Sequence, residues 1–140
     1  MAGKIVADTL EHSTAGSVTT DFVVKGSAKT WVNFNGTGTV AARDSFNHSS
    51  ITDNNTGDYT VTMVTALANG DYALSFGGGQ HSDSREFHVQ AANRFESGTA
   101  GTAPTSTAMR FRNFYNGKTS SDASQSDHTY ICVTKHGDPA

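Results

Sequence analysis

Residues 50–63 read SITDNNTGDYTVTM, in which two alternating segments, 50–53 and 58–63, are joined by the four residues NNTG. A short polar loop that ends in glycine, a residue that tolerates a positive φ, is typical of a β-hairpin. In the second segment Tyr59, Val61 and Met63 recur at every second position, so they fall on one face of a strand. The stretch therefore predicts two antiparallel strands with one buried face.

The same pattern continues on both sides of this hairpin. Short segments rich in β-branched and aromatic residues recur at the spacing of about 8–12 residues that is typical of a β-sandwich or barrel. They predict further strands at residues 4–10, 17–25, 28–35, 40–46, 71–76, 86–90, 106–115 and 129–135, a turn at Asn69-Gly70, and polar loops at 77–85, 92–105 and 118–128. The side chains predicted to fill the core are Val32, Phe34, Ile51, Tyr59, Val61, Tyr72, Leu74, Phe76, Phe87, Val89, Phe111 and Ile131.

Composition narrows the class of protein. The chain has 140 residues, 35% of them hydrophobic and 16% charged, with a net charge of −3. This length fits one domain, and the small charge argues against a disordered polyelectrolyte. The sequence contains no basic cluster and no apolar run of about 18 residues, so we predict neither nucleic-acid binding nor membrane insertion. Cys132 is the only cysteine, which excludes an intramolecular disulfide.

One long stretch resembles a known class of protein. Residues 29–47, KTWVNFNGTGTVAARDSFN, and 49–61, SSITDNNTGDYTV, resemble a segment of tail-fibre-like structural proteins of tailed bacteriophages. Residues 4–10 are similar to the short lead-in of those proteins, and 109–113 with 130–133 look like their two closing strands. The resemblance implies a compact β-sandwich, usually a homotrimer, with a structural role in the virion. It implies no catalytic residues.

These observations predict an all-β fold: a single antiparallel β-sandwich or jelly-roll-like domain at residues 26–140, preceded by a short extended N-terminal attachment arm at 1–25. The expected function is that of a bacteriophage virion structural protein, a homotrimeric tail-fibre-like module that presents loops for host-surface binding and is not an enzyme. Its expected partners are copies of itself, other virion proteins of tail or head, and a host cell-surface glycan. Its expected location is the virion, after synthesis in the host cytoplasm.

Two alternatives stay open. In fibres of this kind the module usually lies at the C-terminal tip of a longer chain, whereas this sequence has no shaft. That difference favours a capsid decoration (cement) protein that stabilises the head. A stand-alone carbohydrate-binding module is the other alternative, because a tryptophan and loops rich in asparagine and aspartate suit sugar binding. A glycan hydrolase is disfavoured, because the sequence offers no well-supported pair of carboxylates.

Two groups of residues are candidates for contact with other molecules. Trp31 lies on the polar face of its predicted strand, which suggests a second buried surface. With the apolar residues of the arm it forms the predicted subunit or virion contact: Ile5, Val6, Leu10, Phe22, Val24 and Trp31. The predicted outward loops contribute His81, Asp83, Arg85, Arg94, Phe95 and Asp122.

Motifs for catalysis or metal binding are incomplete. Gly117-Lys118-Thr119 is similar to the end of a phosphate-binding loop, but Arg112 stands where that loop needs glycine. Residues 53–58 carry the oxygens of a calcium loop, with glycine and aspartate in the wrong order. Glu86 and His88 share a strand face and could hold a metal around a three-fold axis, although a solvated face is the simpler interpretation. We therefore predict no cofactor and no metal.

The pair Arg110 and Arg112 projects from one face of its predicted strand. Two guanidinium groups could bind a sugar acid or a phosphate, but a solvated or salt-bridged strand face is the commoner arrangement.

Overall fold

The computed structural model describes residues 3, 5–78, 86–91, 103–116 and 124–140. Short strands dominate it, with a single helix near the N-terminus. In chain order the elements are β1 (Thr9–His12), β2 (Gly16–Thr19), α1 (Thr20–Gly26), β3 (Thr30–Asn35), β4 (Ala41–Phe46), β5 (His48–Asn55), β6 (Asp58–Met63), β7 (Leu67–Gly78), β8 (Glu86–Ala91), β9 (Ala108–Asn116), β10 (Ser124–Gln125) and β11 (Ile131–Pro139).

The strands form two main antiparallel sheets and one separate hairpin. The first sheet has the order β5-β6-β9-β8, with the short β10 pairing beside β6 on the same edge of β9. The second has the order β4-β3-β11-β7. Strands β1 and β2 pair with each other outside both sheets. The predicted all-β sandwich is confirmed.

The hairpin at residues 50–63 forms as predicted, with a tighter turn. Strand β5 continues to Asn55, so only Thr56 and Gly57 connect it to β6. Gly57 has φ 64°, and a Cβ there would lie 2.7 Å from the carbonyl oxygen of Asn113. Glycine is therefore required both by the backbone conformation and by the close approach of β9.

The core lies between the two sheets and contains the side chains that the alternation predicted. It consists of Val32, Phe34, Tyr59, Val61, Met109, Phe111, Ile131 and Val133, with Val40, Ile51, Tyr72, Leu74 and Phe76 packed against it. The ring centroids of Phe34 and Tyr59 lie 5.1 Å apart, edge to face. Each sheet supplies aromatic and β-branched residues from its inner face, as a sandwich requires. Phe87 and Val89 were also predicted to lie in the core. Their side chains are not among those described, so this stays a prediction.

Three expectations of secondary structure are wrong. The strand expected at 4–10 is displaced, because residues 5–8 are not in a strand and β1 runs from Thr9 to His12. Residues 17–25 do not form one strand, because β2 ends at Thr19 and α1 follows. Asn69-Gly70 is not a turn, because β7 runs through it from Leu67. Glycine has a different role at position 70: a Cβ there would lie 2.6 Å from the carbonyl oxygen of Pro104. The glycine thus allows the segment that leads into β9 to pass close to β7.

Candidate functional site: an exposed apolar arm

The N-terminal segment carries apolar side chains that the sandwich does not cover. Leu10 on β1 lies directly opposite Val18 on β2, so the two side chains share one face of the hairpin, and both are exposed. Ile5, at 90% exposure, and Val6 precede the hairpin and are also open to solvent. The segment predicted as a short extended arm folds instead as a hairpin and a helix.

Helix α1 adds further exposed apolar side chains to the N-terminal segment. All seven of its residues are exposed or half-buried, and Phe22 keeps 73% of its surface accessible. Val23 and Val24 are exposed beside it. A single exposed apolar residue is ordinary on a protein surface, whereas a contiguous group marks a place of contact. We define the arm surface as Ile5, Val6, Leu10, Val18, Phe22, Val23 and Val24.

Polar contacts fix the arm locally. The Thr20 hydroxyl donates to the carbonyl oxygen of Ala7 at 2.8 Å, which ties the start of α1 to the segment before the hairpin. Lys25 and Asp21 form an ion pair of 3.1 Å along the helix. At the other end, His136 Nδ1 lies 3.2 Å from the carbonyl oxygen of Gly26, which connects α1 to β11. The arm surface is thus held in place although it is not covered.

Trp31 lies on the outer face of the second sheet. It pairs with Phe46 on β4 and with Thr134 on β11, and it is half-buried. Its neighbours in sequence, Thr30 and Val32, are buried on the inner face. The predicted outward orientation of Trp31 is therefore confirmed, and Phe46, at 54% exposure, extends the aromatic surface beside it.

Sequence reasoning did not identify every exposed apolar residue. Val18 and Val23 belong to the arm surface, and Phe46 and Val64 are exposed beyond it. The exposure of Phe46 beside Trp31 depends on the register of β3 and β4, which the structure supplies and the sequence pattern does not. The predicted outward-loop residues His81, Asp83, Arg85, Arg94, Phe95 and Asp122 all lie outside the described residues.

The two arginines of β9 surround a buried carboxylate. Asp58, at the start of β6, is 2% exposed and lies opposite Arg112 in register. Arg110 donates to it through Nε and Nη2, both at 2.7 Å, and Arg112 Nε donates at 3.2 Å. The salt-bridged interpretation of this arginine pair is therefore confirmed. Burial raises the pKa of Asp58, but the hydrogen bonds and charges of Arg110 and Arg112 outweigh it and hold that pKa below 3.8.

A second set of polar contacts, centred on Asp127, holds the turn between β5 and β6 in place. Tyr59 donates its hydroxyl proton to Asp127 Oδ1 at 2.5 Å, and the same oxygen accepts the backbone N–H of Gly57 at 2.7 Å. Burial and the bond to Asp127 raise the pKa of the Tyr59 phenol. Tyr59 therefore stays neutral and donating at ordinary pH, which suits a structural role.

Lys135 is a charged residue inside the core. Its side chain is fully buried, and Nζ lies 3.2 Å from the carbonyl oxygen of Thr105 and 3.3 Å from that of Ala108. The same Nζ lies 3.9 Å from the ring centroid of Tyr72, a cation–π contact. The lysine thus holds the segment before β9 against β11. Burial lowers its pKa from 10.5 to about 8.

This lysine is expected to give the protein an unusual alkaline stabilisation. Above about pH 8 folded Lys135 releases its proton, while the unfolded chain keeps it until pH 10.5, so unfolding binds a proton. The free energy of unfolding should therefore rise by up to about 2 kcal/mol between pH 8 and 9.5. Chemical denaturation at several pH values measures this rise.

The variant Lys135→Met is the control for that experiment, because it keeps the length of the side chain and removes the titration. Measurements stop at pH 9.5, since the raised pKa values of Tyr59 and Tyr72 make the fold less stable once unfolded tyrosines ionise. Equal pH slopes in the two proteins would show that Lys135 does not titrate in this range.

The part of the chain that the structure describes contains neither a metal site nor a membrane-spanning helix. Over residues 5–78, 86–91, 103–116 and 124–140, no three His, Cys, Asp or Glu side chains come together as a metal site. Within the same ranges no helix has the length and apolar character needed to cross a membrane.

Comparison with known proteins gives no relative. No protein-family model, no curated protein and no solved structure matches the chain.

Proposed function

We propose that this protein is a homotrimeric structural module of a bacteriophage virion, similar in role to a tail-fibre tip. The observation that carries the proposal is the arm surface, which exposes Ile5, Phe22 and their apolar neighbours on a segment that is held in place but not covered. Apolar side chains gain free energy when a partner removes them from water, at about 25 cal/mol per Å². Assembly is the simplest role for such a surface.

The resemblance of residues 29–61 to tail-fibre-like proteins supplies the biological setting of the proposal. That stretch forms β3 to β6, which contribute Val32, Phe34, Tyr59 and Val61 to the core. The sandwich would act as a rigid body, and the arm would attach it to copies of itself or to other virion proteins of tail or head. A paired hairpin such as β1-β2 also offers free strand edges for attachment by strand addition.

Host recognition is the second half of the proposal. The predicted loops at 77–85, 92–105 and 118–128 are polar and rich in glycine and serine, which suits binding to a cell-surface glycan. The module requires no cofactor for this role and no catalytic residue.

Removing the apolar character of the arm should abolish assembly and leave the sandwich intact. In the triple variant Leu10→Ser, Phe22→Ser and Val24→Ser, we expect the trimer to become a single chain at micromolar concentration. All three side chains are exposed, so the melting temperature of the dissociated chain should change little. Sedimentation velocity measures the first effect and thermal circular dichroism the second.

The matched control is Tyr130→Ser, which removes an exposed aromatic residue at the other end of β11 from the arm. It should stay a trimer. A triple variant that sediments like the unaltered protein would show that the arm is not the assembly surface.

Antibody labelling of purified virus particles from the source of this chain tests the location. Label on the tail supports the fibre role. Label on the head would replace it with the capsid decoration role, and the absence of label from all particles would contradict a virion protein.

A carbohydrate-binding module is the second candidate, and one observation favours it. Arg110 and Arg112 share Asp58, so this cluster of three side chains carries one net positive charge. Such a cluster suits an acidic sugar. Binding to uronic or sialic acid oligosaccharides by a protein that remains a single chain would favour this role over the virion module.

A further inference from the structure

The Asn69-Gly70 pair lies where the pairing of β7 with β11 is interrupted. The register shifts at Asp138 of β11, so residues 68–71 of β7 stand against this one residue. Strand β7 is also an outermost strand of its sheet. A bulge in an edge strand is less restrained by ladder hydrogen bonds than a regular, central strand, so its backbone can adjust locally.

The side chain of Asn69 is exposed, and a backbone donor polarises its amide. Asn69 Oδ1 accepts the backbone N–H of Asp71 at 2.8 Å. A donor at this distance stabilises the negative charge that develops on a carbonyl oxygen when a nucleophile attacks its carbon. The next nitrogen along the chain is that of Gly70, and glycine has no Cβ to hinder its approach to Asn69 Cγ.

From this arrangement we infer that Asn69 is a site of spontaneous deamidation, for which Gly70 supplies the nucleophile. A base takes the proton of the Gly70 backbone N–H, and the nitrogen forms a bond to Asn69 Cγ. The bond from Cγ to Nδ2 breaks, and Nδ2 takes a proton from solvent and leaves as ammonia. The product is a succinimide ring. The reaction needs no partner chain, so the inference is independent of the proposed trimer.

Water then opens the succinimide at either of its two carbonyl carbons. Attack at Cγ leaves aspartate at position 69, and attack at the main-chain carbonyl leaves isoaspartate, whose main chain is longer by one methylene. Both products add a negative charge to a bulge that already contains Asp71. The longer main chain lies between the buried Leu67 and Tyr72, which packs against the core, so isoaspartate should weaken the pairing of this part of β7.

A second Asn-Gly pair, Asn35-Gly36, is held in a way that opposes the same reaction. Gly36 is buried, and its backbone N–H donates to the carbonyl oxygen of His128 at 2.9 Å. Asn35 Nδ2, the group that would have to leave, donates to the carbonyl oxygen of Thr37 at 2.7 Å. Asn35 Oδ1 also has a donor, the Thr37 hydroxyl at 2.8 Å. The burial of Gly36 and the bonds to its nitrogen and to Asn35 Nδ2 therefore protect this pair.

Peptide mapping of the full-length protein by mass spectrometry tests the site. The folded protein and a sample unfolded in guanidinium chloride are kept at mildly alkaline pH until Asn35 and Asn69 of the unfolded sample have both begun to convert. The two should convert at similar rates in the unfolded chain, because each is followed by glycine. In the folded protein we expect Asn69 to convert at least about tenfold faster than Asn35, with isoaspartate detected at position 69.

The matched variant is Asn69→Gln, which keeps the amide but cannot form a succinimide. Position 69 is exposed, so folding should be unaffected. Ion exchange should separate an acidic form from the incubated folded protein and not from this variant. Similar rates at Asn35 and Asn69 in the folded protein would overturn the inference. An unconverted Asn69 in the folded protein would also overturn it, since the fold would then protect the site.

Discussion

Replacing Asp58 by alanine is expected to destabilise the fold by about 3–5 kcal/mol, because it leaves two arginines facing each other without their buried carboxylate. Asp58 is 2% exposed and accepts hydrogen bonds from both Arg110 and Arg112. Removing one partner of a buried ion pair costs far more than the intact pair contributes. Urea denaturation at neutral pH measures the loss.

The pH dependence gives the Asp58 prediction a second readout. The folded pKa of Asp58 is lowered, so its contribution is present above the unfolded value of 3.8 and is lost as the pH falls through the folded value. The unaltered protein should therefore lose stability in acid more steeply than Asp58→Ala. Asp71→Ala, which removes an exposed carboxylate of β7, should cost less than about 0.5 kcal/mol. Equal losses of unfolding free energy in Asp58→Ala and Asp71→Ala would show that the buried contact of Asp58 with Arg110 and Arg112 does not stabilise the fold.

Truncation of Phe34 to alanine is the other large effect, with an expected cost of about 3–5 kcal/mol. Phe34 is fully buried and packs edge to face against Tyr59 at 5.1 Å and Phe111 at 6.1 Å. Its loss opens a cavity where aromatic residues from the two sheets meet, and a domain of this size has only about 5–15 kcal/mol of stability.

Phe114→Ala is the control for that truncation. Phe114 lies on β9 with its side chain on the outer face, half-buried, so the expected cost is about 1 kcal/mol. Denaturation midpoints compare the two variants. A similar loss in both would place the main core somewhere other than the interface of the two sheets.

The core was predictable because a strand with one buried face alternates with a period of two. Tyr59, Val61 and Met63 follow that period on β6, and Met109 and Phe111 follow it on β9. The pattern is local, so the sequence alone contains it. The same period carries Ile131 and Val133 to Lys135, which signals an inward lysine, although its charge argues for solvent.

Helix α1 was not predictable in the same way. Val23 and Val24 favour a strand, and the N-cap residue Thr19 makes no capping hydrogen bond through its side chain. The helix is supported by the Asp21–Lys25 pair and by the contact of Gly26 with β11. The second of these is a tertiary contact, which overrides weak local preference and is invisible in the sequence.

The polar contacts of Asp58 and Asp127 were not predictable either, because they also join residues that only the fold brings together. Asp127 meets Gly57 and Tyr59 across about half of the chain, and Asp58 meets Arg110 across two paired strands. Spacing in the sequence gives no indication of such pairs. The outward orientation of Trp31 was different, because alternation alone places it on the face away from the buried Val32 and Phe34.

The molar mass of the purified full-length chain, measured by light scattering after size exclusion, tests the central claim most directly. The account predicts the mass of three chains of 14.8 kDa each. A single-chain mass that persists at high micromolar concentration would contradict it, because the arm surface would then remain exposed without a partner.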